Sequence, residues 1–371
     1  VRFQDKPHAR LVGFLSLMRS TLRPRLVSTE MVKSGITSPK LPLTGCDILT
    51  THASIPIFYV YPQGLDIALL RKSLREAATV HRMITGRMQR LEDGRDWLVG
   101  NDAGVALKVW DCEGPLPDYG PHHPVHRDAS RMATRPMPWQ VIHQQKPLLT
   151  FEVFRFADGA MVLSMVGVHT LVDAATMWSF LVDWSRLARG LDVVGPVVER
   201  DVLFDLMQTL ADCPETRHVM EAPSRPRQLG IYARLGVQLL QNQVGVYRVP
   251  AATIEGWRQA MPEGITGGDR LTAADLVSTH VLKLMSEVQG HDHDRTVGLV
   301  SDLRYRKGLG LPPRLVGNAL GQEAVDYTAA ELSSQGEAQL ALKLKQPGAM
   351  HNLEEVKGYL GMLERRRRDK T

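Results

Sequence analysis

Residues 148–170, LLTFEVFRFADGAMVLSMVGVHT, constrain the fold more than any other stretch of the chain. Asp158-Gly159, flanked by apolar runs, is a strong short-range signal for a β-hairpin. The second arm, Ala160 to Val168, is apolar on both faces, so it belongs inside a sheet and not on its surface. Met177, Phe180, Leu181, Trp184, Leu187 and Ala188 then recur at helical spacing, with Gly190 to close the helix. A buried strand leading directly into an amphipathic helix requires layered α/β packing. It also sets one histidine, His169, at the strand end just before the helix.

The remaining chain reads in the same alternating way. Ile55 to Tyr61 is a strand closed by Pro62-Gln63-Gly64. Asp66 is a candidate N-cap for a helix with Leu69, Leu70, Leu74, Ala77 and Ala78 on its faces, ending near Gly86. The segment WLVGNDAGVALKVWDC reads as a strand pair turning at Asn101–Gly104, and 113–138 as an irregular connector. With 371 residues the chain is long enough for two domains. The Pro- and Gly-containing stretch 191–235 is the expected crossover between a first lobe, 1–190, and a second, 236–371. In the second, QVGVYRVP reads as a strand and 272–288 as a helix, capped by Thr272 with Asp275 three residues on. TVGLVSDLRYR reads as another strand and LGLPPRLVGNALGQ as an extended loop.

Composition narrows the function classes. The net charge of +5 owes much to Arg365–Arg368, so no general nucleic-acid surface is indicated. Those arginines read as a solvated helix end. Three scattered cysteines, Cys46, Cys112 and Cys213, fit a reducing, cytoplasmic compartment and no disulfide framework. No apolar run is long enough to span a membrane, and LVGFLSLM at 11–18 reads as a buried element. His122, His123 and His126 lack a Cys or Glu to complete a metal site, and HDHD at 291–294 reads as a solvated loop. There is neither a phosphate loop nor a GxSxG nucleophile elbow. Trp178 and Trp184 read as core.

His169 therefore carries the chemical question. An imidazole with an ordinary pKa near 6.5 can accept a proton from a hydroxyl or amine at physiological pH. A strand end fixes its backbone while leaving the ring able to reach a cleft. Asp173, four residues on, can cap the following helix or pair with a distant arginine. The spacing is equally compatible with a core histidine satisfied by backbone groups.

The motif HTLVDA resembles the HxxxD motif of the BAHD-type acyl-CoA-dependent acyltransferases of the chloramphenicol-acetyltransferase-like superfamily. Other stretches match that family in order over roughly 40–322. LTGCDILTTHASIPIFYVYP resembles its N-terminal segment, with Asp47 at the acidic position. Residues 70–88 are similar to the helix before its Gly-Arg turn. VSDLRYR resembles its Asp-x-Arg strand, with Asp302 and Arg304, and LVGNALGQ its Gly-Asn segment, with Gly317 and Asn318.

The resemblance implies two lobes, each a mixed sheet with flanking helices, and an active site in a channel between them. It implies that His169 is the general base and that Asp173 supports the site by pairing with Arg304. Acyl-CoA would be the co-substrate, with no permanent cofactor, and a small-molecule alcohol or amine the acceptor. A cytoplasmic monomer with no nucleic-acid or membrane partner is expected. Two departures stand out: Ala174 replaces the Gly that commonly follows the aspartate, and the Asp-Phe-Gly-Trp-Gly motif is absent. Its absence implies an incomplete C-terminal lobe with an exposed sheet edge. A binding protein without turnover is therefore one alternative. A carrier-protein condensation domain is another, although such domains carry two adjacent histidines and Val168 stands at the first position here.

Overall fold

The structure is a computed structural model that describes residues 22–50, 53–119, 128–129, 131–213, 247–261, 271–290, 293–345 and 353–369. The chain divides into two compact units. One comprises 1–204, 238–246 and 312–318; the other comprises 205–237, 247–311 and 319–371. The stretch at 11–18 and the histidines at 122, 123 and 126 lie outside the described residues.

The hairpin forms the spine of the first unit. Strands β7 (Leu149–Arg155) and β8 (Met161–Val168) pair antiparallel, Leu149 opposite Gly167 and Arg155 opposite Met161. The turn is closed by the Gly159 amide donating to Phe156 O, with Gly159 at φ +85°, a conformation glycine adopts without penalty. These strands sit inside a five-stranded mixed sheet in the order β1 (Arg25–Val32), β6 (Val105–Asp111), β7, β8, β3 (Ser54–Tyr61). Only the β6–β7 pair is parallel.

Both faces of the hairpin are covered, as its composition requires. Phe151, Val153, Leu163 and Met165 face a core shared with α2 (Ile67–Val80) and α4 (Ala174–Leu187). Phe154 and Val162 face a smaller cluster with Leu22, Cys112, Met132 and Phe156. Phe151 packs edge-on to Trp184 at 4.9 Å and lies 5.8 Å from Phe180, anchoring α4 on the sheet. The Trp184 indole N–H donates to Ser73 Oγ at 3.0 Å, which ties α4 to α2. Asp66 caps α2 through the amides of Ala68 and Leu69.

The expected strand pair at 97–112 is not a pair. Strand β5 (Asp96–Gly100) joins β2 (Ser38–Pro42) and β4 (Arg87–Arg90) in a separate antiparallel sheet, while β6 joins the large one. The turn residues explain the divergence. Asp102 and Gly104 have positive φ, and the Asp102 carboxylate accepts from the Ser34 and Gly35 amides instead of closing a hairpin.

In the second unit, β9 (Arg295–Asp302) pairs antiparallel with β10 (Leu320–Tyr327). Helices α7 (Ala273–Gln289), α8 (Ala329–Ser334) and α9 (Glu337–Leu344) contribute to its core through Leu276, Leu282, Leu332, Leu340 and Leu344, and α6 (Ala251–Gln259) packs Trp257 there. Thr272 and Asp275 form a reciprocal cap on α7. Three expectations are corrected here. Residues 247–250 of the anticipated strand are irregular. Strand β10 begins inside the anticipated loop, because Leu320 pairs with Asp302. The arginine run ending α10 (Leu353–Asp369) is not simply solvated: Arg365 donates to the Ala211 and Cys213 carbonyls, and Arg367 pairs with buried Glu364. Among the described residues, no helix is long and apolar enough to cross a membrane.

Gly167 offers a test of how tightly β8 is packed before the histidine. A Cβ at this position would lie 2.5 Å from Met177 Cε and 2.7 Å from Val172 Cγ2. Gly167→Val should lower unfolding stability by about 1–3 kcal/mol, read as a drop in the denaturant midpoint.

Candidate active site

His169 follows the last residue of β8, and its amide donates to Ala53 O at 3.0 Å, which continues the β3–β8 ladder by one residue. The residue is half-buried. Its Nδ1 lies 2.9 Å from Asn318 Oδ1. Which of the two ring nitrogens carries the proton follows from the surroundings of Asn318. The amide nitrogen Nδ2 faces His169 O at 2.6 Å, Thr170 O at 3.1 Å and Asp47 Oδ1 at 3.2 Å. All three are acceptors, so the NH₂ must point toward them and Oδ1 toward the ring. An acceptor facing Nδ1 requires Nδ1–H, and the lone pair is then on Nε2.

Asp47 fixes Asn318 in turn. It sits in α1 (Gly45–Leu49), fully buried, where it caps the helix reciprocally with Thr44. Its Oδ1 accepts from both the backbone and side-chain nitrogens of Asn318. Its Oδ2 accepts from the Thr44 amide and hydroxyl and, at 2.7 Å, from Arg200 Nη2. The Arg200 side chain is 1% exposed. A buried ion pair of this kind needs further hydrogen bonds to offset its desolvation, and the Thr44 and Asn318 donors supply them.

Gly317 has φ +102°, a left-handed conformation that favours glycine, and it is also a close-packing site. A Cβ there would lie 2.7 Å from the guanidinium carbon of Arg200. Helix α4 clamps the loop 312–318 at two points. The Thr176 hydroxyl donates to Gly317 O and accepts from Gly317 N. Asp183 pairs with Arg314. Asp183 Oδ2 also meets His81 Nε2 at 2.8 Å in a buried contact. Burial lowers the His81 pKa below its ordinary value, outweighing the opposing pull of Asp183. A parallel bridge between Val197 and Leu315 straps the same loop along its length.

The residues singled out in the sequence thus divide. His169, Asp47, Gly317 and Asn318 converge. Asp173 is buried and caps α4, the helix that clamps Gly317, accepting from the Thr176 amide at 2.9 Å. Asp302 and Arg304 belong to the second unit. There the Asp302 carboxylate accepts from both the backbone and the guanidinium of Arg304. Arg304 lies in a short 3₁₀ turn, Leu303–Tyr305, and not in the strand expected for it. Arg200 was not anticipated. It lies in the first unit, just before the helix at 201–210, with no motif around it, so no sequence signal marks it.

A cavity of about 530 Å³ also opens in the first unit, walled by Tyr59, Tyr61, Leu163, Trp178 and Trp184. It lies toward the hairpin end of β8: Leu163 precedes His169 by six residues, roughly 20 Å of strand. Of the two tryptophans read as core, Trp184 is buried, whereas Trp178 is 62% exposed on the outer face of α4. No group of side chains among the described residues is arranged to hold a metal ion.

The transferase family matches residues 26–359. The chain belongs to it, and is a BAHD-type acyl-CoA-dependent acyltransferase. Tobacco (Nicotiana tabacum) shikimate O-hydroxycinnamoyltransferase is 23% identical over 352 residues, covering 91% of this chain and 78% of that protein. The hydroxycinnamoyl-CoA:5-hydroxyanthranilate N-hydroxycinnamoyltransferase of Avena sativa is 23% identical over 339 residues, covering 86% and 73%. The crystal structure of vinorine synthase superposes with a TM-score of 0.62 at 17% identity, covering 91% of this chain and 79% of that one, and shares the two-lobe acyltransferase fold.

Two measurements test the supports of the site. Asp173→Ala removes the cap of α4 and should cost about 0.5–2 kcal/mol of unfolding stability in a denaturant titration. His81 should make stability pH-dependent. The unfolded chain binds its proton near pH 6.5, whereas folded His81 binds it only at a lower pH. Its contribution is therefore complete above that value and lost as pH falls through the window below it, with a slope of at most about 1.4 kcal/mol per pH unit. Urea denaturation at pH 7.5 and 5.0 should show a smaller acid-side loss in His81→Gln than in the parent chain.

Proposed function

We propose that this acyltransferase moves an acyl group from an acyl-CoA thioester to a hydroxyl or amine of a small metabolite, with Nε2 of His169 as the general base. The observation that carries the reading is the Asn318 Oδ1 contact with Nδ1, which leaves the ring lone pair on Nε2. In the proposed reaction Nε2 takes the acceptor's O–H or N–H proton as that atom attacks the thioester carbonyl. The tetrahedral oxyanion collapses, the C–S bond breaks, and the imidazolium returns its proton to the CoA thiolate. Atoms and charge balance without a covalent acyl-enzyme. Asp173 and Arg304 are positioning residues in this scheme and do not touch the reacting atoms. The relatives, named as hydroxycinnamoyltransferases acting on oxygen and on nitrogen, make aromatic acyl-CoA donors and both kinds of acceptor the first substrates to try.

The test is CoA-thiol release from p-coumaroyl-CoA and acetyl-CoA against a panel of alcohols and amines. Turnover should depend on the acceptor, and His169→Ala should lower kcat by about 10²–10⁴-fold, the usual contribution of a general base. Unchanged turnover in His169→Ala would remove the histidine from the mechanism.

A further inference from the structure

We infer that the cavity walled by β3, α2 and α4 is a binding site for a planar aromatic carboxylate, separate from the cleft at His169. Its volume of about 530 Å³ is that of a small-molecule cleft. Strand β3 is the outermost strand of its sheet. Tyr59 and Tyr61, two residues apart, stand on one face of it, with Leu163 of β8 opposite Tyr59. They form the floor. Trp178 of α4 forms a lip: its indole is 62% exposed, whereas Phe180 and Trp184 of the same helix are buried. An open indole beside an aromatic floor accepts a flat ring. Leu163 lies roughly 20 Å of strand before His169, so a ring seated on this floor is out of reach of the imidazole.

The polar groups of the wall decide which end group that ring carries. Asp66 caps α2 through one carboxylate oxygen, and Ser73 accepts from the Trp184 indole while donating to Leu69 O. The uncommitted groups are mainly donors. The Tyr59 and Tyr61 hydroxyls have no hydrogen-bond partner among the described residues. Burial, with Tyr59 alongside, raises the Tyr61 pKa above its ordinary value, so the phenol keeps its proton. Arg189 donates through Nε to Ser185 O at 3.0 Å, one turn back along the cavity wall. Its two Nη groups have no partner among the described residues. A guanidinium with two phenols selects a carboxylate over a neutral or cationic end group.

Three probes of one skeleton test the assignment by isothermal titration calorimetry on the full chain: 2-naphthoate, 2-naphthalenemethanol and 2-naphthylmethylammonium. Naphthoate should bind with a dissociation constant below about 1 mM, and the other two about 10-fold more weakly or worse. Trp178→Ser should weaken naphthoate about 5-fold or more through the lost ring contact. Arg189→Gln should bring naphthoate and the alcohol within about 2-fold of each other. Both residues are exposed, so these variants should keep the parent melting temperature. Tyr61→Phe, which preserves the shape of the floor, should weaken naphthoate by about 2–10-fold. His169→Ala should bind naphthoate as the parent does, which makes the result independent of the general-base reading. No saturable binding of naphthoate, equal or tighter binding of the alcohol or the ammonium, or parent-like affinity in both Trp178→Ser and Arg189→Gln would overturn the inference. Loss of naphthoate binding in His169→Ala would also overturn it, by moving the ligand to the catalytic cleft.

Discussion

One buried carboxylate orders the candidate active site. Asp47 accepts from the amide and hydroxyl of Thr44, from a guanidinium nitrogen of Arg200, and from the backbone and side-chain nitrogens of Asn318. It thereby joins the short helix α1, the segment carrying Arg200 and the 312–318 loop at a single point. In a low-dielectric interior such a group is costly unless its lone pairs are used. The carbonyls of His169 and Thr170 hold the Asn318 amide in the same sense, so its Oδ1 faces the His169 ring.

The strand and helix around the histidine give that network a rigid frame. Strand β8 is buried on both faces and hydrogen-bonded on both edges, which fixes the His169 backbone before any side-chain contact is counted. Helix α4 begins under the cap of Asp173, and its Thr176 and Asp183 then hold the two ends of the loop bearing Gly317 and Asn318. The motif aspartate therefore has a mechanical task. It starts the helix at the register that puts Thr176 against Gly317, three residues after the cap. Ala174 suits this task because alanine is a strong helix former.

Local readings succeeded where the signal was local. The Asp-Gly turn, the Asp66 and Thr272 caps and the strand end at His169 depend on residues within a few positions of one another, and all are as read. Readings that required a distant partner did less well. The strands on either side of Asn101–Gly104 were recognised, but they do not pair with each other: β5 pairs with neighbouring β4 and distant β2, β6 with β1 and β7, and the Asp102 carboxylate turns the chain aside. Strand β10 was hidden in a Gly- and Pro-marked loop because its pairing with β9 is made across 18 residues, Asp302 to Leu320. Trp178 and Trp184 share a helix and a residue type, yet one is buried and one exposed, since only the sheet beneath α4 distinguishes its faces.

By itself the sequence determined a layered α/β chain, a histidine at the end of a buried strand, and the set of motif residues that associate it with the acyltransferases. Those properties follow from hydrophobic periodicity, turn chemistry and short-range spacing, which adjacent residues encode directly. Tertiary structure alone decided which ring nitrogen faces Asn318, that Asp47 lies behind it, and that Arg200 supplies the opposing charge. These residues are separated by up to 271 positions, and the polarity of a hydrogen bond exists only once both partners are in place.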